Sequence, residues 1–338
     1  MSDHDSSRVV RQALGPISGA SRAKISTVHP GSESEAQTSA RSGRPDPSLG
    51  RIAVILTAAD RGYFPLLRDM VSSIRRFEPG RRFPIGVFDL GLEREQIAWL
   101  EQREVSLTRP RQHFGLPEEF GGPFARACLV RPFLYEYFDG YDFYFWIDAD
   151  AWLQSWEAID LLLDGASRCD LAIVHERERA YRFQAWLVGW NIKHAISSCG
   201  LAHGALVLSR PQLNDGVFCL RAKAPHWKLW QQRFQRAVER NSRGDPNDQF
   251  SLNEVIYADR PPVSVLDPVN NWICDRAPPV WDEAAKCFCK PYPPYEPIAV
   301  MHLAGPAKRE VYRIRTRAGD WYETRFTFEG ALPSFLRT

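Results

Sequence analysis

The chain predicts an α/β fold in one large domain: an open sheet with helices on both faces. Three observations carry that prediction. Short apolar runs alternate with helical periodicities from Arg51 onward. Those runs are continuous rather than alternating, as expected of strands buried on both faces. At 338 residues and 44% hydrophobic, the chain carries enough apolar side chain for a large core.

RIAVILTAAD (51–60) reads as a buried strand and the loop that follows it. Beyond Pro65, Leu66, Leu67, Met70, Val71, Ile74 and Phe77 recur at helical spacing. PIGVFDLG (84–91) is a second strand, and EREQIAWLEQ (93–102) a short helix. FARACLVRPFLYEYF (124–138) reads as helical and leads to the strand FYFWIDAD (143–150). Leu171–His175 is another strand, and GALVLS (204–209) and 217–220 read as extended. HWKLWQQRFQRAVE (226–239) places Trp227, Trp230, Phe234 and Val238 on one helical face. IAVMHLAG (298–305) is the last strong strand. The stretch 267–297, rich in Pro, Cys and aromatics, reads as a long ordered loop. The stretch 176–200 has no clean period and is a candidate insertion over a pocket. Residues 1–50 hold no Phe, Tyr or Trp, which predicts a disordered tail. The folded domain is expected over 51–320, with a C-terminal extension over 321–338.

Composition narrows the function. A net charge of +2 does not point to nucleic acid. The seven cysteines are scattered without a C-x-x-C, the pattern of reduced thiols. The N-terminal residues lack the apolar stretch of a secretion signal, and the run 52–59 is too short to span a bilayer. The expected location is the cytoplasm, with any membrane contact peripheral at its inner face.

The chemistry concentrates at Asp148-Ala149-Asp150, at the end of a strand with a heavily apolar lead-in. Ligands of open α/β sheets bind at the carboxyl ends of strands. Two carboxylates held together repel unless a cation joins them. Hard oxygen ligands suit Mg²⁺ or Mn²⁺, and an added histidine favours Mn²⁺. An acidic strand-to-loop turn exposed to water would carry the same letters. So would a metal-dependent phosphatase with Asp148 as nucleophile, although Trp152 stands where such enzymes carry Thr or Val. Downstream, VMHLAGPAKR (300–309) offers His302 as a third ligand, Gly305 for close backbone approach and Lys308 as a point charge for phosphate.

Taken in order, these stretches resemble glycosyltransferase family 8, the retaining sugar-nucleotide transferases of the glycogenin and lipooligosaccharide galactosyltransferase group. AADRGY (58–63) resembles the family's first-strand loop, implying that Ala58, Ala59, Asp60 and Tyr63 hold the uracil end of the donor. Arg131 matches a basic residue directed at the donor. Asp148, Ala149 and Asp150 match the metal motif, and NDGVF (214–218) the N-x-G stretch, with Asn214 and Gly216 at the donor sugar. Asp215 stands between them where the family carries a small residue. NDQFSLN (247–253) resembles D-Q-x-x-L-N, implying a catalytic pair in which Gln249 lies below the anomeric carbon and Asp248 binds sugar hydroxyls or orients Gln249. HLAGPAK matches H-x-x-G-x-x-K, which implies metal ligation by His302 and diphosphate contacts from Gly305 and Lys308.

The resemblance implies a GT-A type, Rossmann-like fold with a mixed, mostly parallel sheet. It also implies transfer of a hexose from a UDP-sugar to a carbohydrate or lipid-linked acceptor, with retention, Mn²⁺ as cofactor (Mg²⁺ as the alternative) and a role in polysaccharide or lipopolysaccharide assembly. A non-catalytic sugar-nucleotide-binding scaffold is the alternative reading. Asp245 or Asn247 would cap the helix that carries Asp248. Trp186, Trp190, Lys193 and His194 are acceptor candidates or core. Arg313, Arg315 and Arg317 alternate, as on a solvated strand face or one that meets anionic lipid.

Overall fold

A computed structural model describes residues 53–116, 122–240 and 247–329. The tail expected over 1–50, Asp245 and the end of the C-terminal extension lie outside the described residues.

The chain opens with strand β1 (Ala53–Ala59), whose seven residues are all buried. Helix α1 (Phe64–Arg75) starts with Pro65 in its first turn and buries Leu67, Met70, Val71 and Ile74. Strand β2 (Ile85–Asp89) follows, then helix α2 (Arg94–Glu101), entered through a capping box between Glu93 and Gln96. Strand β3 (Val105–Thr108) is short and partly exposed. Helix α3 (Gly122–Val130) gives way to a 3-10 turn at Arg131–Phe133 and a single helical turn, α4 (Leu134–Tyr137). The stretch 124–138 is therefore not one helix. Pro132 lacks the N–H that an unbroken helix would need, and its ring blocks the preceding turn.

Strand β4 (Phe143–Ile147) runs into Asp148, and strand β5 (Ala151–Leu153) leaves from Asp150. Helix α5 (Glu157–Cys169) and strand β6 (Leu171–His175) come next. Helix α6 (Ala185–Leu208) covers much of the suspected insertion and is kinked at Gly200. Strand β7 (Leu213–Arg221), helix α7 (His226–Arg240) and helix α8 (Asp248–Glu254) complete the large elements. Strand β8 (Val263–Leu266) lies at a sheet edge. The stretch read as a loop carries strand β9 (Trp272–Ile273) and the hairpin β10 (Val280–Asp282) with β11 (Cys287–Cys289). Strand β12 (Val300–His302) is shorter than its apolar run suggested. A last hairpin pairs β13 (Tyr312–Arg315) with β14 (Trp321–Thr324) and carries the chain across residue 320.

The fold is the expected mixed α/β one. Seven strands form a sheet in the order β3-β2-β1-β4-β7-β6-β8. All neighbours are parallel except at β7, which runs against both β4 and β6. Strand β4 lies at the centre, buried on both faces. Phe143, Phe145 and Ile147 join the core under α1 and α5, while Tyr144 and Trp146 join the core under α7 and α8. Burying each such side chain is worth roughly 1.5–3 kcal/mol. This double burial explains why the strand reads as a continuous apolar run.

A second sheet, β5-β12-β9, packs its own core of Trp152, Trp272, Trp281, Phe288, Met301 and Phe326. Asp148-Ala149-Asp150 is the step between the two sheets.

One expectation fails at 204–209, where Gly204 to Leu208 is helical rather than extended. Beyond the kink the helix packs back on its first half: a Cβ at Gly204 would lie 2.9 Å from the Ala195 carbonyl oxygen. Small residues permit that approach, and the contact overrides the β preference of Val207 and its neighbours.

Candidate functional site

The carboxyl ends of β1 and β4, a bulge in β7, the start of α8 and the turn after β12 converge on one cavity of about 530 Å³. Its walls include Ala58, Ala59, Asp60, Tyr63, Arg131, Asp148, Ala149, Asp150, Asn214, Asp248, Gln249, His302, Gly305 and Lys308. Gly216 is the one expected residue that stands behind the wall rather than in it.

Each position has a local cause. After β1, the Asp60 carboxylate accepts the Tyr63 backbone N–H at 2.9 Å, which holds the loop in a tight turn. Between β6 and β7 the register shifts at Ile173 and Val174, leaving extra residues on β7. A bulge of this kind re-aims side chains, here Asn214 and Asp215 into the cavity. Asn247 caps α8 by accepting the Phe250 N–H at 3.1 Å. Asn253 exchanges hydrogen bonds with both backbone groups of Leu213, at 2.9 Å each, and so ties α8 to β7. At Gly305 φ is +67°, a left-handed conformation that glycine adopts without strain. A Cβ there would meet nothing closer than 3.8 Å, so conformation rather than crowding calls for the glycine.

Asp148, Asp150 and His302 each offer an atom within 4.8 Å of the others. His302 Nε2 lies 3.7 Å from Asp148 Oδ2 and 3.4 Å from Asp150 Oδ1. The tautomer of His302 follows from a relay. Gly216 N–H donates to Asn214 Oδ1 at 2.9 Å, which turns the Asn214 amide nitrogen to Glu176 at 2.7 Å. The same Asn214 oxygen accepts from the Asn271 amide nitrogen at 2.8 Å. Asn271 Oδ1 therefore faces His302 Nδ1 at 2.8 Å and accepts its proton. Nε2 is left toward the two carboxylates. Partners of this kind orient metal-ligating histidines. Gly216 matters by absence: a Cβ would lie 2.6 Å from Asp148 Oδ2 and 2.7 Å from His302 Cε1.

Arg131 is buried and organises the carboxylates. Its guanidinium donates to Asp148 Oδ1 at 2.6 Å and Asp248 Oδ2 at 2.7 Å, and approaches Asp215 at 3.4 Å. Trp146 Nε1 donates to the same Asp148 oxygen at 2.7 Å, leaving Oδ2 on the histidine side. Lys308 Nζ bonds Asp150 Oδ2 at 2.8 Å and lies 5.2 Å from the Tyr63 ring centre.

Burial alone would raise Asp150, but His302 and Lys308 outweigh it and hold its carboxyl well below the usual range. Burial alone would lower Lys308, and Asp150 reverses the direction. Asp215 goes the other way. Its burial, with Asp248 and Asp148 nearby, overcomes Arg131 and pushes it well above the usual carboxylate range.

Five aspartates line the cavity (Asp60, Asp148, Asp150, Asp215 and Asp248), Asp215 being pushed toward its neutral form, against Arg131 and Lys308. An anionic ligand would meet repulsion there unless further positive charge entered with it. Two carboxylates and an oriented imidazole fit a divalent cation such as Mn²⁺ or Mg²⁺.

Two residues of this relay, Asn271 and Glu176, escape a reading of the sequence alone. Glu176 directly follows β6, so the rule that ligand sites gather at the carboxyl ends of strands could have found it. Asn271 sits in the stretch read as a loop and carries no comparable signal. Trp190 also lines the cavity, and it packs on His194 and Phe250. Trp186 does not line it. Arg313 and Arg315 flank the buried Ile314 and both lie over Trp321, while Arg317 pairs with Asp282.

No protein-family model matches the chain, and no curated protein matches it. Among solved structures, the chain is similar to galactosyltransferase LgtC in complex with donor and acceptor sugar analogs. The identity is 18% and the TM-score 0.48, over 75% of this chain and 88% of that one. It is also similar to the apo structure of the bifunctional glycosyltransferase WbbM (14%, TM-score 0.44, 70% and 40% covered). The glycosyltransferase GlyE of Streptococcus pneumoniae TIGR4 is a third such structure (17%, TM-score 0.42, 66% and 47% covered).

Proposed function

We propose that this chain is a metal-dependent glycosyltransferase that moves a hexose from a UDP-sugar to an acceptor hydroxyl, with retention of anomeric configuration, on a GT-A type fold. The observation that carries the reading is the oriented triad. Asp148, Asp150 and His302 face one another in a cavity also lined by the other residues expected at the donor apart from Gly216. Neither a water-exposed acidic turn nor a plain strand end needs the Asn271 relay or the glycine at 216.

Asp148, Asp150 and His302 would hold Mn²⁺ or Mg²⁺, which when bound supplies positive charge to the departing diphosphate. The protein's own groups do the rest. Lys308 is bonded to Asp150, and on donor entry its ammonium turns to the diphosphate, where negative charge develops. Arg131 acts through Asp148 and Asp248, holding both carboxylates in place. Asp60 and Tyr63 hold the uracil end. Asp248 binds sugar hydroxyls. Glu176 accepts from the Gln249 amide nitrogen at 3.3 Å, which leaves the amide oxygen free for the anomeric carbon. An amide is a weak nucleophile, so its part is to shield and stabilise an oxocarbenium-like centre; as the bond to UDP breaks, the acceptor hydroxyl attacks the same face and its proton passes to the departing diphosphate.

Manganese-dependent release of UDP from a panel of UDP-hexoses tests the reading. Asp150→Asn is expected to abolish turnover while leaving the thermal transition cooperative. Full activity in that variant would remove the metal site from the mechanism.

A further inference from the structure

Helix α6 presents a face that the catalytic reading does not use. From Arg182 to Lys193 no residue is buried, although seven of the twelve are apolar. Phe183 is 82% exposed, Trp186 61% and Ile192 45%. Val188 and Ile196 are exposed as well. A helix apolar on all sides normally sits inside a core. Here a core covers only the part from Ala195 onward, where Ala195, Cys199 and Val207 are buried.

The charge carried by this stretch of sequence has one sign, and Asp275, an acid outside it, is engaged by the Gln184 amide at 3.1 Å. From Arg179 to Asn214 the sequence contains no Asp or Glu, but it holds Arg179, Arg182, Lys193 and Arg210. The two acids just before it turn inward: Glu176 pairs with Arg276 at 2.8 Å, and Glu178 with Lys290 at 3.4 Å. Exposed aromatic and aliphatic side chains with cations and no acids match the interfacial layer of an anionic bilayer. No described helix is long and apolar enough to cross a membrane, and Gly200 breaks this one. The helix can lie on such a surface but not span it. It reaches the cavity at Trp190, and Phe124, which is 65% exposed, lines the same cavity.

We propose that the first half of α6 docks this protein on an anionic lipid surface, so that the cavity mouth beside Trp190 opens toward that surface. That the acceptor hydroxyl arrives from the lipid side rests on the transfer reading above; attachment to lipid does not.

Flotation with phosphatidylcholine vesicles, with and without phosphatidylglycerol, tests the proposal on the full chain. Binding is expected only with the anionic lipid and is expected to weaken as salt rises. Phe183→Glu with Ile192→Glu is expected to reduce partitioning about tenfold or more, and Arg182→Glu to reduce it less. Binding of UDP with Mn²⁺ and the thermal midpoint serve as controls and are expected to stay unchanged in both variants, so failure of lipid docking is distinguishable from failure of the donor site. No binding to anionic vesicles would overturn the proposal. So would equal binding to neutral ones, or binding indifferent to the paired substitution in a folded variant. Dimerisation of the wild-type protein through this face, abolished by the same pair, would also overturn it in favour of a second copy.

Discussion

His302 shows how far a single residue's chemistry depends on neighbours distant in sequence. Its ring is set by Asn271, whose amide is set by Asn214, whose amide is set by Gly216 and Glu176. Asn271→Ala removes the acceptor at Nδ1 and frees the ring to turn. Manganese affinity measured by calorimetry is expected to fall about 10–100-fold, with little change in the thermal midpoint. Gly216→Ala forces a methyl into contact distances of 2.6–2.8 Å with Asp148, His302 and Asn214. It is expected to destabilise the fold by about 1–3 kcal/mol in urea titration and to eliminate manganese binding. Asp148, Asp150 and His302 were readable because ligand chemistry is written in residue type. Asn271 was not, since an asparagine becomes a positioning residue only through its partners.

At the scale of elements, strands buried on both faces announce themselves and edges do not. β4 is an unbroken apolar run, β1 and β2 are apolar apart from Thr57 and Asp89, and every residue of the three is buried. β3 and β8 lie at the sheet's two edges, half-exposed and only four residues each, too short to show a period. β12 belongs to a second sheet that no periodicity could separate from the first, because three residues are too few to show a period. The stretch 247–253 illustrates two roles in one element. Asp248 and Gln249 face the cavity, and Asn253 fastens the helix to β7. Asn253→Ala leaves both Leu213 backbone groups without this partner. It is expected to cost about 1–3 kcal/mol in chemical denaturation and to lower turnover through a displaced Gln249.

For the whole molecule, pH bears on stability through the packing of the C-terminal segment on α1. Asp69 in α1 is raised to about 6, chiefly by burial and next by Glu329. Its folded-state value lies above its unfolded one, so the folded state binds the proton more tightly. The stabilising contribution is complete below about pH 4, is lost between about pH 4 and 6, and leaves a constant cost above that. Asp69→Asn is therefore expected to raise the thermal midpoint at pH 7.5 relative to wild type and to leave it nearly unchanged at pH 3.5. The segment matters because Phe326 is buried and its carbonyl accepts from Trp152 Nε1 at 2.7 Å, two residues beyond Asp150. The Asp148–Asp150 step, both sheets and the C-terminal hairpin thus share one packed framework, and the account of function stands on the cavity that framework holds. The most direct measurement is calorimetric titration of UDP into the purified protein, first with Mn²⁺ and then with EDTA. Saturable binding that disappears with EDTA is the predicted result. Absence of binding in both conditions, or binding indifferent to the metal, would contradict the central claim.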